Sequence, residues 1–463
     1  MQHVGRLNQL AAQFANLVIA MLLVLCAGVL MYAVLVIRET SLTWIGYGFF
    51  YGLPLGVCVG LALLFNVRNE YKINLVMGVC SLFFGVYAIE GVLTWRSSPR
   101  ASGKGDFRPA FEVLKELRNQ GEDAVPNTFP AWFLGSETFG RGEKRLLPLS
   151  GVAHASVVLC NEVGQWITYQ SDEQGFHNPP GLYAGRLDLV GVGDSYTQGV
   201  CVASEKNIFG VLRQEYHQTL NLGMAGNGPL LELASLREYA KPFAPKVVVW
   251  LYYEGNDLED LETEKQNPGL MQYLERNYSQ ALLRQTAALQ TALRQATEEL
   301  ITSKFQQEAR TPAWQNYLRC VRMHPVFRFL IAERIFERLG MLPSVKRHFG
   351  GTPDLPLFRR ILALAKQEIE AWGGALLFVY LTEKSRFVRF SGTPSPYREQ
   401  ILTIVNDLGI PVVDTYRLFQ AQSNPLALHQ GHYTEKGYEL VAQAILKTIR
   451  ESLRRPSSER PRP

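Results

Sequence analysis

Four short stretches of this chain hold the residue types that acyl transfer requires. Gly193-Asp194-Ser195-Tyr196 offers a hydroxyl, and Gly431-His432-Tyr433 offers an imidazole. Gly226, within residues 221–228, offers a backbone N–H with no side chain in the way, and Asn256, in Glu254-Gly255-Asn256-Asp257, offers an amide NH₂. Acyl transfer needs a nucleophile, a base within hydrogen-bond reach and donors for the developing oxyanion. Ser195 fits the first role. His432 fits the second, taking the hydroxyl proton and returning it to the leaving group. Gly226, Asn256 and the N–H of Ser195 itself fit the third. Taken singly, Ser195 reads as a turn serine and Gly226 as a supplier of positive φ; taken together they read as a site. Asp194 reads as a loop-shaping residue, and Tyr196 and Tyr433 either line the acyl pocket or pack.

The four stretches need elements that bring them together. Short apolar runs at 189–193, 219–222, 246–252, 375–381 and 411–413 read as strands, the clearest being KVVVWLY at 246–252. Helical patterns at 206–216, 230–239 and 434–451 alternate with them. Such alternation implies a parallel sheet covered on both faces. In open α/β sheets the loops leaving the carboxyl ends of strands build the site, and the serine, glycine and asparagine stretches each follow a strand, with the histidine just before the last helix.

Residues from about 187 to the last helix resemble the SGNH/GDSL hydrolase family. The GDS block at Gly193 to Ser195, the glycine block at Gly226, the GND block at Gly255 to Asp257 and the histidine at His432 occur in the family's order. A tripeptide alone carries little information; four blocks in order carry much more. The resemblance implies a flavodoxin-like, three-layer α/β fold and serine-dependent cleavage or transfer of acyl groups, often acetyl esters on carbohydrates. It implies no cofactor.

One block departs from the family. Its last motif usually reads Asp-x-x-His, the acid orienting the base, but here His429 holds the acid's place and no Asp or Glu occurs between Tyr416 and Glu435. Three arrangements are open: a backbone carbonyl holds the imidazole, an acid from elsewhere, such as Asp414, substitutes, or the site is impaired. An orienting acid fixes the tautomer and stabilises the imidazolium, so its loss costs orders of magnitude in rate.

The chain has 463 residues, 47% of them hydrophobic, unevenly spread. Residues 1–95 read as a membrane domain with three transmembrane helices at about 17–37, 44–65 and 75–95. Arg6, Arg68 and Lys72 outweigh Arg38 beside Glu39 in the short loops, which puts the N-terminus in the cytoplasm and the soluble domain outside it. Glu90, near the end of the third span, reads as an interface-facing carboxylate. Residues 96–186 read as a linker and N-terminal extension, 187–454 as the SGNH-like domain, and 455–463 as a basic, proline-rich tail. Between the third and fourth strands a helical insertion at about 268–346 reads as a lid or subdomain beside the sheet's carboxyl edge, or as a scaffold. Leu270, Leu274, Ala281, Leu289, Leu293, Ala296 and Leu300 fit one helical stripe, and 325–339 suggests another helix.

The formal charge of +5 comes without a dense basic stripe, so nucleic-acid binding is not indicated. Of six cysteines, Cys26, Cys58 and Cys80 lie in the apolar part; Cys160, Cys201 and Cys320 allow at most one internal disulfide in the remainder. No Cys/His cluster has metal-ligand spacing. The expectation is a membrane-anchored serine esterase or acyl hydrolase, a carbohydrate O-deacetylase or O-acetyltransferase, acting outside the cytoplasm on an acylated small molecule or carbohydrate. The alternative is an impaired domain that binds glycan or takes part in a polysaccharide-export assembly with other components.

Overall fold

A computed structural model describes residues 2–32, 51–97, 106, 108–140, 145–162, 164–310, 352–387 and 397–454. The chain forms two compact units, residues 1–99 with 325–335, and residues 100–324 with 336–463. The expected linker at 96–106, the helix at 325–339 and the tail at 455–463 lie wholly or mostly outside the described residues.

In the first unit α1 (Gln2–Tyr32), α2 (Leu53–Leu64) and α3 (Asn69–Ser97) pack around Ala15, Ile19 and Val76. Lys72 is buried and ties the bundle, its ammonium donating to Asn16 Oδ1 at 3.2 Å and to the Phe65 carbonyl at 3.0 Å. Two helices among the described residues are long and apolar enough to cross a membrane, over Gln9–Gly28 and Asn69–Val92. Their outward faces are apolar, with Phe14, Leu17, Met21, Leu82 and Phe84 all exposed. Of the second expected span, at about 44–65, the described part is α2, whose 12 residues rise about 18 Å, short of the roughly 30 Å hydrocarbon core; residues 44–50 lie outside the described residues. Glu90 is fully buried, not interface-facing as expected.

The second unit opens with α4 (Ala110–Asn119), β1 (Ala124–Pro126), α5 (Pro130–Phe133), β2 (Ser156–Cys160) and β3 (Ile167–Gln170). The three strands form one small sheet, β1 parallel and β3 antiparallel to β2. There follow β4 (Leu189–Val192), α6 (Ser195–Gln198), α7 (Ile208–Leu212), β5 (Thr219–Asn221), α8 (Pro229–Ser235), β6 (Val247–Tyr253), α9 (Asp257–Glu264), α10 (Pro268–Met271), α11 (Thr286–Arg310), α12 (Leu355–Ala371), β7 (Ala375–Leu381), α13 (Arg398–Asp407), β8 (Val412–Asp414), α14 (Thr415–Gln420) and α15 (Glu435–Arg454).

Strands β4 to β8 form a parallel sheet in the order β5-β4-β6-β7-β8, the flavodoxin-like arrangement. A sheet buried on both faces needs apolar residues at every position, not at alternate ones. Strand β6 shows why. Val248, Trp250 and Tyr252 point into one core with α8 and α12, while Val247, Val249 and Leu251 point into the other with α7 and α15.

The helical insertion is not one continuous stripe. Ala281 adopts a left-handed backbone, and the buried Glu238 carboxylate gathers Tyr273 Oη and the N–H groups of Gln280 and Leu282, so the chain turns between α10 and α11. Helix α11 then lies along the N-terminal extension: Gln290 accepts from the Ala153 N–H at 2.7 Å, Arg294 pairs with Asp123 and Arg118 pairs with Glu298. Its described part is therefore a buttress for the small sheet.

Candidate active site

The sheet's topology puts the expected loops side by side, because β5 and β6 both flank β4 and all three run the same way. At the end of β4 the Asp194 carboxylate caps α6, accepting from the Tyr196 N–H at 2.9 Å and leaving Ser195 as the first helical residue. The loop after β5 is stitched to it: Met224 N–H donates to the Gly193 carbonyl at 3.2 Å, and Ala225 N–H to Gln198 of α6 at 3.1 Å. Gly226 in that loop has a φ of +75°, a left-handed value that favours glycine. Its N–H meets no protein acceptor among the described residues. Asn256 stands at the start of α9, beyond the end of β6, with its amide NH₂ donating to Asp260 at 2.7 Å. One of its N–H bonds is thus committed, and the other remains for a ligand.

His432 lies in the tight loop before α15, where Gln430 N–H donates to its carbonyl at 2.7 Å. Its ring rests on Tyr196, centroid to centroid 4.8 Å, and Tyr196 in turn packs edge-on against Tyr433. Both tyrosines are buried; they pack beneath the base and do not line an open pocket. The Tyr433 hydroxyl donates to the Thr382 carbonyl at 2.8 Å, fixing the loop to the end of β7.

The decisive distances are two. Ser195 Oγ stands 2.9 Å from His432 Nε2, and His432 Nδ1 stands 2.6 Å from Glu162 Oε1. This is a Ser-His-Glu triad. With Nδ1–H donating to the carboxylate, Nε2 is left unprotonated and is placed to accept the hydrogen bond of the Ser195 hydroxyl. The serine hydroxyl has one rival acceptor, Asp194 Oδ2, at the longer 3.3 Å. Burial pushes the Asp194 carboxyl up to about 6, against the pull of its bond from the Tyr196 N–H.

Of the three arrangements open from the sequence, the second is the observed one, an acid from elsewhere in the chain, but that acid is not Asp414. Asp414 caps α14 and pairs with Arg398 and Arg417, away from the base. His429 is buried among Phe387, Phe419 and Tyr433 with no hydrogen-bond partner on either ring nitrogen among the described residues, and burial pushes its imidazole down to about 3. The acid comes instead from the turn joining β2 to β3. Glu162 uses its second oxygen as well, accepting from the N–H groups of Gly431 and His432 at 2.9 Å each. Gly431 must be glycine for this approach, since a Cβ there would lie 2.4 Å from the Glu162 carboxyl carbon. Partial burial alone would raise the Glu162 pKa, but the His432 bond and charge and the two N–H donors outweigh it and hold the carboxylate below its usual range.

A disulfide, Cys160–Cys201, joins the end of β2 to the loop after α6 with the two Cα atoms 5.5 Å apart. Gln430 adds a bond to the Cys201 carbonyl at 3.3 Å, so the segments bearing Glu162, Ser195 and His432 are cross-tied. The odd cysteine count in this part of the sequence held the clue. Pairing 160 with 201 sets Glu162 beside the nucleophile loop. Among the described residues no group of three or more His, Cys, Asp or Glu side chains is arranged to hold a metal ion.

In motif order, strand order and nucleophile–base geometry the chain resembles the SGNH/GDSL hydrolases. No family model matches the chain, and no curated protein matches it. Among solved structures it is similar to the acetyl xylan esterase AlAXEase, with 12% identity over 57% of this chain and 100% of that one and a TM-score of 0.32. The lipase/acylhydrolase from Enterococcus faecalis has 13% identity over 57% and 96%, TM-score 0.32. A lipolytic protein of the G-D-S-L family from Veillonella parvula DSM 2008 has 12% identity over 57% and 98%, TM-score 0.30. Likenesses this slight bear no weight beside the site's own geometry.

Proposed function

We propose that this protein is a membrane-anchored serine esterase of SGNH type that transfers an acyl group from an ester, foremost a carbohydrate O-acyl ester, to Ser195 and then to water or a sugar hydroxyl outside the cytoplasm. The observation that carries this reading is the unbroken relay from Ser195 Oγ through His432 to Glu162, at 2.9 and 2.6 Å. In the first half-reaction Ser195 Oγ bonds to the acyl carbon as its proton passes to His432 Nε2. The ester C–O bond breaks as that proton moves to the departing alkoxide. In the second half an incoming hydroxyl gives its proton to Nε2 and attacks the acyl carbon, and the acyl–Oγ bond breaks as Nε2 returns that proton to Ser195 Oγ. Glu162 stabilises the imidazolium in both halves without taking its proton. The N–H of Gly226, the free N–H of Asn256 and the N–H of Ser195 are the donors for the tetrahedral oxyanion.

Anchoring rests on α1 and α3. Their apolar windows of 20 and 24 residues span about 30 Å or more as helices, and only 17% and 11% of those windows are buried, unlike core helices. The orientation rests on Arg6, Arg68 and Lys72 by the positive-inside rule; a disulfide in the second unit accords with an oxidising compartment. The reading of an impaired, glycan-binding assembly component drew on a missing acid and on the long helical insertion; Glu162 against His432 removes the first motive and leaves the second.

A fluorophosphonate probe tests the assignment: wild type is labelled and Ser195→Ala and His432→Ala are not. Equal labelling of wild type and Ser195→Ala refutes it. Product analysis on an acetyl ester, with and without added glycan, separates hydrolase from transferase.

A further inference from the structure

The second unit buries its large apolar side chains with one conspicuous departure. Trp132 on α5 is 51% exposed, while every other large hydrophobic of comparable exposure among the described residues lies between Leu10 and Val92, in the apolar helices. Exposing an indole costs favourable burial, and a lone exposed aromatic on an otherwise polar surface calls for attention where it borders a site. This one does. Trp132 lies against Phe129, ring centroids 4.3 Å apart and planes at 31°. Phe129 in turn borders the candidate oxyanion donor: a Cβ placed on Gly226 would stand 3.4 Å from the Phe129 ring.

The pair is built into the site. Asn127, two residues before Phe129, accepts from Gln198 Nε2 at 2.9 Å, and Gln198 belongs to the nucleophile helix α6 and also receives the Ala225 N–H of the oxyanion loop. On its other side Asn127 N–H donates to the Val158 carbonyl of β2 at 3.1 Å, and Thr128 and Pro130 are buried. The two rings therefore keep their place relative to Ser195 and Gly226. The Trp132 indole N–H has no protein acceptor among the described residues, so the platform carries a flat apolar face and one unused donor at its rim.

We infer that Phe129 and Trp132 form a sugar-binding subsite, on which a pyranose ring of the acylated substrate stacks its C–H face beside the scissile ester. This rests on the esterase reading and names its substrate class. The physical preference for a sugar over an acyl chain lies in shape. A hydrocarbon chain is best desolvated in a concave apolar pocket, whereas an open aromatic face matches the flat, C–H-lined side of a pyranose and leaves the sugar hydroxyls in water or on the indole N–H.

The test compares the full-length protein and its Trp132→Ala and Trp132→Phe variants in detergent. The substrates are partially O-acetylated gluco-, manno- and xylo-oligosaccharides, with ethyl acetate as the small ester. For at least one oligosaccharide Trp132→Ala raises KM roughly tenfold with kcat little changed; Trp132→Phe recovers most of the loss, and kcat/KM on ethyl acetate stays at the wild-type value. An unchanged KM on every oligosaccharide overturns the subsite. So does an equal loss on ethyl acetate, which would make the ring a prop for the oxyanion loop. Calorimetric binding of the same oligosaccharides to Ser195→Ala keeps the two readings apart. Binding abolished by adding Trp132→Ala, in a protein whose wild type turns over no ester, upholds the subsite and refutes only the esterase.

Discussion

His429 and Glu162 make a telling pair. His429 lies three positions before the base, where an SGNH-type sequence usually carries its acid, while Glu162 lies 270 residues away and makes the contact at 2.6 Å. The nearer residue turns its ring into a cage of aromatic rings, where neither nitrogen has a hydrogen-bond partner among the described residues; the remote one supports the imidazole and both N–H groups of its loop. Orienting a base requires only a carboxylate at the right place in space, and a disulfide-tied hairpin meets that need as well as a neighbour in the same turn. Its cost is dependence on the extension's own fold: the small sheet, α11 against it, and Cys160–Cys201 all stand behind one carboxylate.

That contrast can be broken at its strong end. Glu162→Gln keeps the shape and removes the charge, and we expect kcat on an acetyl ester to fall roughly 10³–10⁴-fold, against less than about threefold for His429→Phe, read by steady-state kinetics on both. Comparable losses in the two variants would return the acid's role to the local motif. Asn256→Ala, on the sheet-edge half of the site, removes one oxyanion donor, with an expected loss in kcat of about 10²–10³-fold and KM nearly unchanged; a purely KM effect would place the amide in substrate binding.

The hairpin's tether is the next lever. Replacing both Cys160 and Cys201 by serine frees Glu162 to move, and we expect a kcat about tenfold lower together with a loss of about 2–4 kcal/mol in unfolding free energy. Full activity after reduction or replacement would mean that the Gly431 and His432 N–H donors hold Glu162 by themselves. The smallest effect belongs to His429. Its imidazole is held neutral, with its folded-state pKa depressed to about 3, so it contributes stability above the unfolded value near 6.5 that is lost as pH falls toward the folded one. His429→Phe removes that sensitivity. Relative to the variant, wild type should lose about 1–2 kcal/mol between pH 6.5 and 5, measured by denaturant unfolding; parallel pH profiles would show that His429 does not titrate on unfolding.

Much of the scaffold was legible in the chain because its signals are local. An apolar run such as KVVVWLY at 246–252 declares a buried strand, and the order of alternating strands and helices declares a parallel sheet. Ser195, Gly226 and Asn256 each follow a strand in sequence, and parallel pairing of neighbours is enough to bring their loops to one edge. Where the reading went astray, a contact remote in sequence had won. The stripe from Leu270 to Leu300 breaks because Glu238 captures the chain between α10 and α11.

By itself, then, the sequence determined the sheet and the apolar helices and singled out Ser195 and His432, since each is written in residues adjacent along the chain or at the period of one element. Only the tertiary structure decided what holds His432, and that Phe129, with Trp132 against it, stands beside Gly226. Both depend on how a separate three-stranded sheet docks onto the larger one. That docking is set by shape, by buried polar bonds such as Asn127 to Gln198, and by one disulfide, and no spacing along the chain encodes it.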